Sequence, residues 1–195
     1  MKFTAWAAAA ALTACGIFGS ALALDEAKDE KEKLKACEAA LCEVVTKKSP
    51  TTGDFTCPLQ KTWAKAKIQE GASGGAFSWG FGDARCSITL KLPHADIVKA
   101  VSEPEFTLQF PDQVVTCEIE QDKTVTPVKL TLAPKVEFKG GEAKKAWINL
   151  KDVDGPTAMK ALAFTAAKLE DTTGIFHGAL IKAINGHVGP KCKKS

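Results

Sequence analysis

The chain has 195 residues, 45% of them hydrophobic and 25% charged, with a formal net charge of +3. That mixture belongs to a folded chain of one domain, and it excludes a wholly disordered, collagen-like or multi-pass membrane protein. The near-balanced charge demands neither nucleic acid nor a membrane surface as partner, and composition alone names no ligand.

The first segment reads as a targeting signal. Met1-Lys2 gives a positive start, an alanine-rich apolar run extends from Phe3 to Phe18, and Ala21-Leu22-Ala23 offers the small residues a signal peptidase reads. The run is shorter than the roughly 18 to 20 residues of a spanning helix. Residues 1–23 are therefore expected to be removed, leaving 24–195 as a single α+β domain in the periplasm or outside the cell. A second reading competes: Leu12-Thr13-Ala14-Cys15 fits the pattern before a lipidated cysteine, which would anchor the protein to the envelope through Cys15. Only in that case is a membrane a partner.

Asp25 to Lys48 predicts a helix, with Leu34, Cys37, Leu41, Val44 and Val45 at helical spacings, acids at its start and Lys47-Lys48 at its end. A loop follows to Asp54. Pro58 then predicts the opening of a second helix running to Glu70, with Trp63, Ala66 and Ile68 on its buried side. From Phe77 the period changes to two. Phe77-Trp79-Phe81, then the runs around Ile88, Phe106, Val115, Val128, Val136 and Trp147, read as strands divided by Pro, Asp and Gly turn signals. Ala95 to Val101 reads as a short helical connection. The helical period returns at Thr157, breaks at Asp171 to Gly174 and ends at an expected cap, Asn185-Gly186. Helices, strands, helices predict an α+β fold: an antiparallel sheet covered on one face by the N- and C-terminal helices.

Beyond Cys15, six cysteines remain: Cys37, Cys42, Cys57, Cys86, Cys117 and Cys192. An even number in an exported chain predicts three disulfides, with 15 possible pairings. Cys37 and Cys42 stand about 140° apart on a helix, so each should tie it to a different element. Cys86 shares parity with Ile88 and Leu90, and Cys117 with Val115 and Ile119, which favours a Cys86–Cys117 bridge across strands. Cys42–Cys57 and Cys37–Cys192 complete that set, with the other pairings left open.

Catalytic signals are weak. Gly71-Ala72-Ser73-Gly74-Gly75 matches GxSxG, but the strand-then-helix context of a nucleophile elbow is reversed. His94, His177 and His187 show no ligand spacing and no HExxH pattern, and no cysteine or histidine spacing suits zinc. No cofactor and no metal is expected. Arg85 is the sole arginine, which argues against sequence-specific nucleic-acid reading. The aromatic strip offers Trp79 and Phe81, with Trp63 and Arg85, as a candidate ligand surface, its glycines allowing close backbone approach. Arg85 beside Asp83 also reads as an ion pair.

Cys57-Pro58-Leu59-Gln60-Lys61-Thr62-Trp63, Trp79-Gly80 with Arg85-Cys86, and Leu132-Ala133-Pro134-Lys135 together resemble a family of secreted bacterial proteins of unknown function. The resemblance implies no activity or ligand. The expectation is a non-enzymatic binding or structural domain of the envelope with an unknown partner. The alternatives are a carrier of a small apolar molecule, in a cavity reaching Trp79 or Phe176, and an envelope hydrolase built on His94 or His177.

Overall fold

The computed structural model describes residues 24–72, 78–122, 124–174, 177–188 and 192. Cys15, Ser73, Phe77 and Phe176 lie outside them. Five helices are described: α1 (Glu30–Lys47), α2 (Lys65–Ala72), α3 (His94–Ser102), α4 (Thr157–Thr173) and α5 (His177–Val188). The strands are β1 (Asp54–Trp63), β2 (Ala84–Pro93), β3 (Glu105–Gln109), β4 (Gln113–Gln121), β5 (Thr124–Leu132), β6 (Lys135–Lys139), β7 (Glu142–Trp147) and β8 (Leu150–Asp154). All pairings are antiparallel, so the expected α+β class holds. The strands divide between two sheets, β1-β2-β4-β5-β8 and β3-β6-β7. Among the described residues no helix is long and apolar enough to cross a membrane.

Several segments differ from expectation. Residues 54–63 form a strand, not a helix. Phe55, Cys57 and Leu59 alternate there, and Pro58 is tolerated because β1 lies at the sheet edge, where one row of N–H groups has no ladder to serve. Residues 78–82, expected as part of a strand from Phe77, are irregular, and β2 begins only at Ala84. Gly82 there lies against β4: a Cβ on it would sit 2.6 Å from that of Glu120, and its N–H donates to the Glu120 carbonyl at 2.8 Å. Its lack of a side chain thus lets β4 approach closely.

Where the chain passes between sheets, side chains stand in for the missing ladder. The β2–β4 pairing stops at Ile88–Val115. Beyond it buried Gln113 takes over, accepting from Lys91 N–H at 3.1 Å and donating to the Lys91 carbonyl at 3.2 Å. The stretch expected as one strand around Trp147 splits at Ile148-Asn149, with Asn149 at φ 47. Asp171 of α4 clamps that corner, accepting from Ile148 N–H at 2.7 Å and Asn149 N–H at 3.1 Å. Asp171→Ala strands both donors, each worth about 1–3 kcal/mol where water is excluded. Because the aspartate is half-buried, a net loss of about 2 kcal/mol is expected as a lowered urea midpoint, with Asp171→Asn, which keeps one acceptor, in between. Equal midpoints in all three proteins would refute the clamp.

Three disulfides staple the fold: Cys37–Cys57, Cys42–Cys192 and Cys86–Cys117. Cys86 and Cys117 are directly opposed across β2 and β4, as their parity predicts. The other two bridges exchange partners relative to expectation. Cys37 shares the stripe of α1 that packs on β1, so it meets Cys57, while Cys42, turned around the helix, meets the chain after α5. Such bonds are consistent with an oxidising environment.

The start of α1 is held by buried Glu30. Its carboxylate accepts from Thr62 N–H at 3.1 Å, the Thr62 hydroxyl and Lys61 Nζ at 3.3 Å. Burial pushes the Glu30 pKa up, but these hydrogen bonds outweigh it and hold the group below its ordinary 4.5. A depressed pKa stabilises the fold above pH 4.5, and that contribution fades as pH falls through the folded value. Glu30→Gln should therefore be less stable than the parent at pH 7 and converge toward it in acid, read from urea titrations between pH 7 and 3. A constant gap would rule the linkage out.

Candidate functional site

The covered face of the larger sheet carries two cores. One joins α4 to Ala84, Cys117, Ile119, Val128 and Val153, with Trp79 and Phe81 packed against it. The other lies among α1, α3, α5, the β1–β2 corner and the inner face of the smaller sheet. The second core is not full. It holds an apolar cavity of about 300 Å³. Volumes of this size stand at the lower end of ligand pockets, and about twice a cavity known to admit benzene.

The walls follow from periodicity. On α1, Leu34, Cys37, Leu41 and Val45 fall on one stripe, and on α5 Ile184 and Val188 do the same. Leu59, Leu90 and Leu92 come from the sheet, Ile97 from α3, and Leu108, Val136 and Phe138 from the smaller sheet. The Cys37–Cys57 bridge forms part of the wall. The more exposed lining residues, Leu34 and Ala183, place the opening between α1 and α5.

Two lining side chains break the apolar pattern. Glu38 of α1 and His187 of α5 meet at that opening, His187 Nδ1 lying 3.0 Å from Glu38 Oε1, both half-buried. Sequence reasoning missed this pair for a definite reason. Asn185-Gly186 reads as a helix end, yet α5 continues through it to Val188. Asn185 points instead at β7, accepting from Ala143 N–H at 2.7 Å and donating to its carbonyl at 3.0 Å, as a neighbouring strand would. The available signal was a polar residue within an apolar stripe: Glu38 between Cys37 and Leu41, His187 three residues after Ile184.

The expected surface of Trp79, Phe81, Trp63 and Arg85 is only partly assembled. Trp79 and Phe81 stack edge to face at 5.1 Å, and the Trp79 indole N–H donates to the Gly82 carbonyl at 2.8 Å, closing a local turn. They pack on the α4 core and do not line the apolar cavity. Trp63 is 40% exposed, paired with Ala84 on the covered face. Arg85 points to the opposite face, where it grips Glu118 across the strands through Nε at 2.8 Å and a second nitrogen at 2.7 Å. Its partner is thus Glu118, not Asp83. Asp83 accepts from Lys65 N–H at 2.8 Å.

That outer face carries a trough of about 560 Å³ whose lining mixes Gln60, Ser87, Thr89, Lys91 and Thr116 with Pro58, Pro111 and Val114. His94 stands at the start of α3 with Nδ1 3.1 Å from the Thr52 carbonyl, a local tie that makes this nitrogen the donor. Among the described residues no three histidine, cysteine, aspartate or glutamate side chains gather to hold a metal. The chain matches no family model, no curated protein and no solved structure.

Proposed function

We propose that the protein is an exported, non-enzymatic, disulfide-stapled binding domain of the periplasm or envelope that takes a small apolar molecule into the cavity between α1 and α5. The observation that carries this reading is the cavity itself: about 300 Å³ walled by aliphatic and phenyl groups within a cluster of buried apolar side chains. Apolar walls left facing solvent in this way cost stability. A ligand that fills the space covers them. The small molecule is the envelope partner left open by the sequence, and three bridges fit a compartment where thiols are oxidised.

Of the two histidines on which a hydrolase would rest, His94 has its Nδ1 tied to the Thr52 carbonyl 3.1 Å away. Export by the leader 1–23 and the alternative of a lipid anchor at Cys15 are separated by the intact mass of protein recovered from the envelope: loss of 23 residues for the first, an acylated product starting at Cys15 for the second.

Binding is tested with the neutral fluorophore N-phenyl-1-naphthylamine. The parent protein should bind it saturably, and Leu41→Trp, which places an indole in the cavity, should weaken binding at least tenfold while keeping the parent's circular dichroism. Leu90→Trp closes the same space from the sheet and guards against a folding failure of the first variant. Undiminished binding in both would place the probe elsewhere and defeat the reading.

A further inference from the structure

We propose that the ligand is a single-chain amphiphile, inserted tail first, whose terminal oxygen is hydrogen-bonded by the Glu38–His187 pair. This rests on the cavity being a ligand site and goes further in naming the ligand's class and orientation. The reasoning starts from polarity. Leu34, Leu41, Ile97, Phe138 and Ile184 illustrate a wall that is aliphatic or phenyl, while the two ionisable side chains that line the cavity stand together, 3.0 Å apart between α1 and α5. A purely apolar ligand gains nothing from a carboxylate and an imidazole at the opening, and their desolvation opposes its entry. A ligand with a polar end turns the same groups into partners.

Size sets the tail. The cavity of about 300 Å³ equals roughly ten water volumes, and a methylene takes similar room, so a chain of about ten carbons fills it. Each methylene buried contributes about 0.8 kcal/mol, so affinity should climb steeply with length and then stop when the space is full. Geometry sets the head. His187 Nδ1 is engaged with Glu38 Oε1 at 3.0 Å, which fixes the ring and directs the imidazole Nε2 away from that contact. A hydroxyl at the chain end can donate to Nε2 when the ring carries one proton, on Nδ1, and a fatty-acid carboxylate can accept from Nε2–H when the ring carries two. An ether oxygen only accepts, and without charge, so it is the poorer match in either form. The alcohol and the fatty acid thus meet the same ring in different forms, and the test separates them.

The experiment displaces N-phenyl-1-naphthylamine from the parent protein, from Glu38→Gln and from His187→Phe, using 1-hexanol, 1-decanol, 1-hexadecanol, decanoic acid and methyl decyl ether. In the parent, 1-decanol should act at least tenfold more strongly than 1-hexanol, and 1-hexadecanol no more strongly than 1-decanol. Decanol or decanoic acid should beat the ether about fivefold or more, the worth of one hydrogen bond, and whichever is tighter identifies the head. Both variants should lose that preference while still binding the fluorophore. A merely structural link between α1 and α5 would lower affinity for alcohol and ether alike and leave their ratio unchanged, which would overturn the proposal without touching the cavity reading. If none of the chains displaces the probe while Leu41→Trp still abolishes its binding, the amphiphile is wrong and an apolar ligand remains. If Leu41→Trp has no effect either, both inferences fall.

Discussion

Replacing both members of the Cys42–Cys192 bridge by serine is expected to cost about 3–5 kcal/mol and to lower the melting temperature by about 10–15 °C. The bridge spans 150 residues, against 20 and 31 for the other two. In the chain-entropy account a loop of that length removes about 5 kcal/mol of freedom from the unfolded chain, compared with roughly 3–4 for the shorter loops. Position adds to length. Cys42 and Cys192 are both buried, and they fasten the chain after α5 to α1, across the end of the fold where the cavity opens. With the bridge gone, α5 still has the Asn185–Ala143 hydrogen bonds and its packing on β7, so the sheets should survive while the α1–α5 contact loosens. Two readouts follow. Differential scanning calorimetry should show a larger loss than Cys86→Ser/Cys117→Ser, and N-phenyl-1-naphthylamine affinity should fall in the first double variant and stay near the parent value in the second. A smaller loss for the long bridge would mean that the tail adds little to the native state.

The parts of the fold legible in the sequence are those whose signal is local. The α1 stripe is visible because Leu34, Cys37, Leu41 and Val45 repeat at helical spacing within a single element. The Cys86–Cys117 bridge is visible because strand parity tells which neighbours share a face. What the sequence hides is non-local or ambiguous. Parity is the same in either sheet, so nothing in Phe106-Thr107-Leu108 says that this strand joins β6 and not β2. Pro58 is ambiguous because proline suits both a helix start and a sheet edge, and only the sheet order settles which applies. Asn185-Gly186 carries a strong stop signal, overridden by the hydrogen bonds Asn185 gains from β7. The candidate site is the extreme case. Glu38 and His187 lie at opposite ends of the described chain, and each alone looks like an ordinary surface residue. Their meaning arises only when α1 and α5 are laid side by side over an unfilled core.

Phe138→Ala should destabilise the protein by about 3–5 kcal/mol, with the result expected at the lower end of that range. Phe138 is 4% exposed and belongs to the core shared by β6, α1 and α3, so its loss removes a large apolar surface. Yet one side of the ring already borders the cavity, and contacts that the parent does not make cannot be lost. Met159, equally buried but in the other core, is the comparison: Met159→Ala should follow the ordinary range of about 2–5 kcal/mol and respond to no added chain. Phe138→Ala should respond. The enlarged cavity has room for a longer tail, so the preferred alcohol should shift from ten carbons toward twelve or more. A ligand held at a hundred times its dissociation constant returns about 2.7 kcal/mol, most of the deficit. Thermal melts with 1-decanol and 1-dodecanol would show this as a recovery of melting temperature, larger for the longer chain, in Phe138→Ala alone. Equal recovery in Met159→Ala would indicate a general solvent effect. No shift in chain preference would mean that the phenyl ring does not bound the space in which the tail lies.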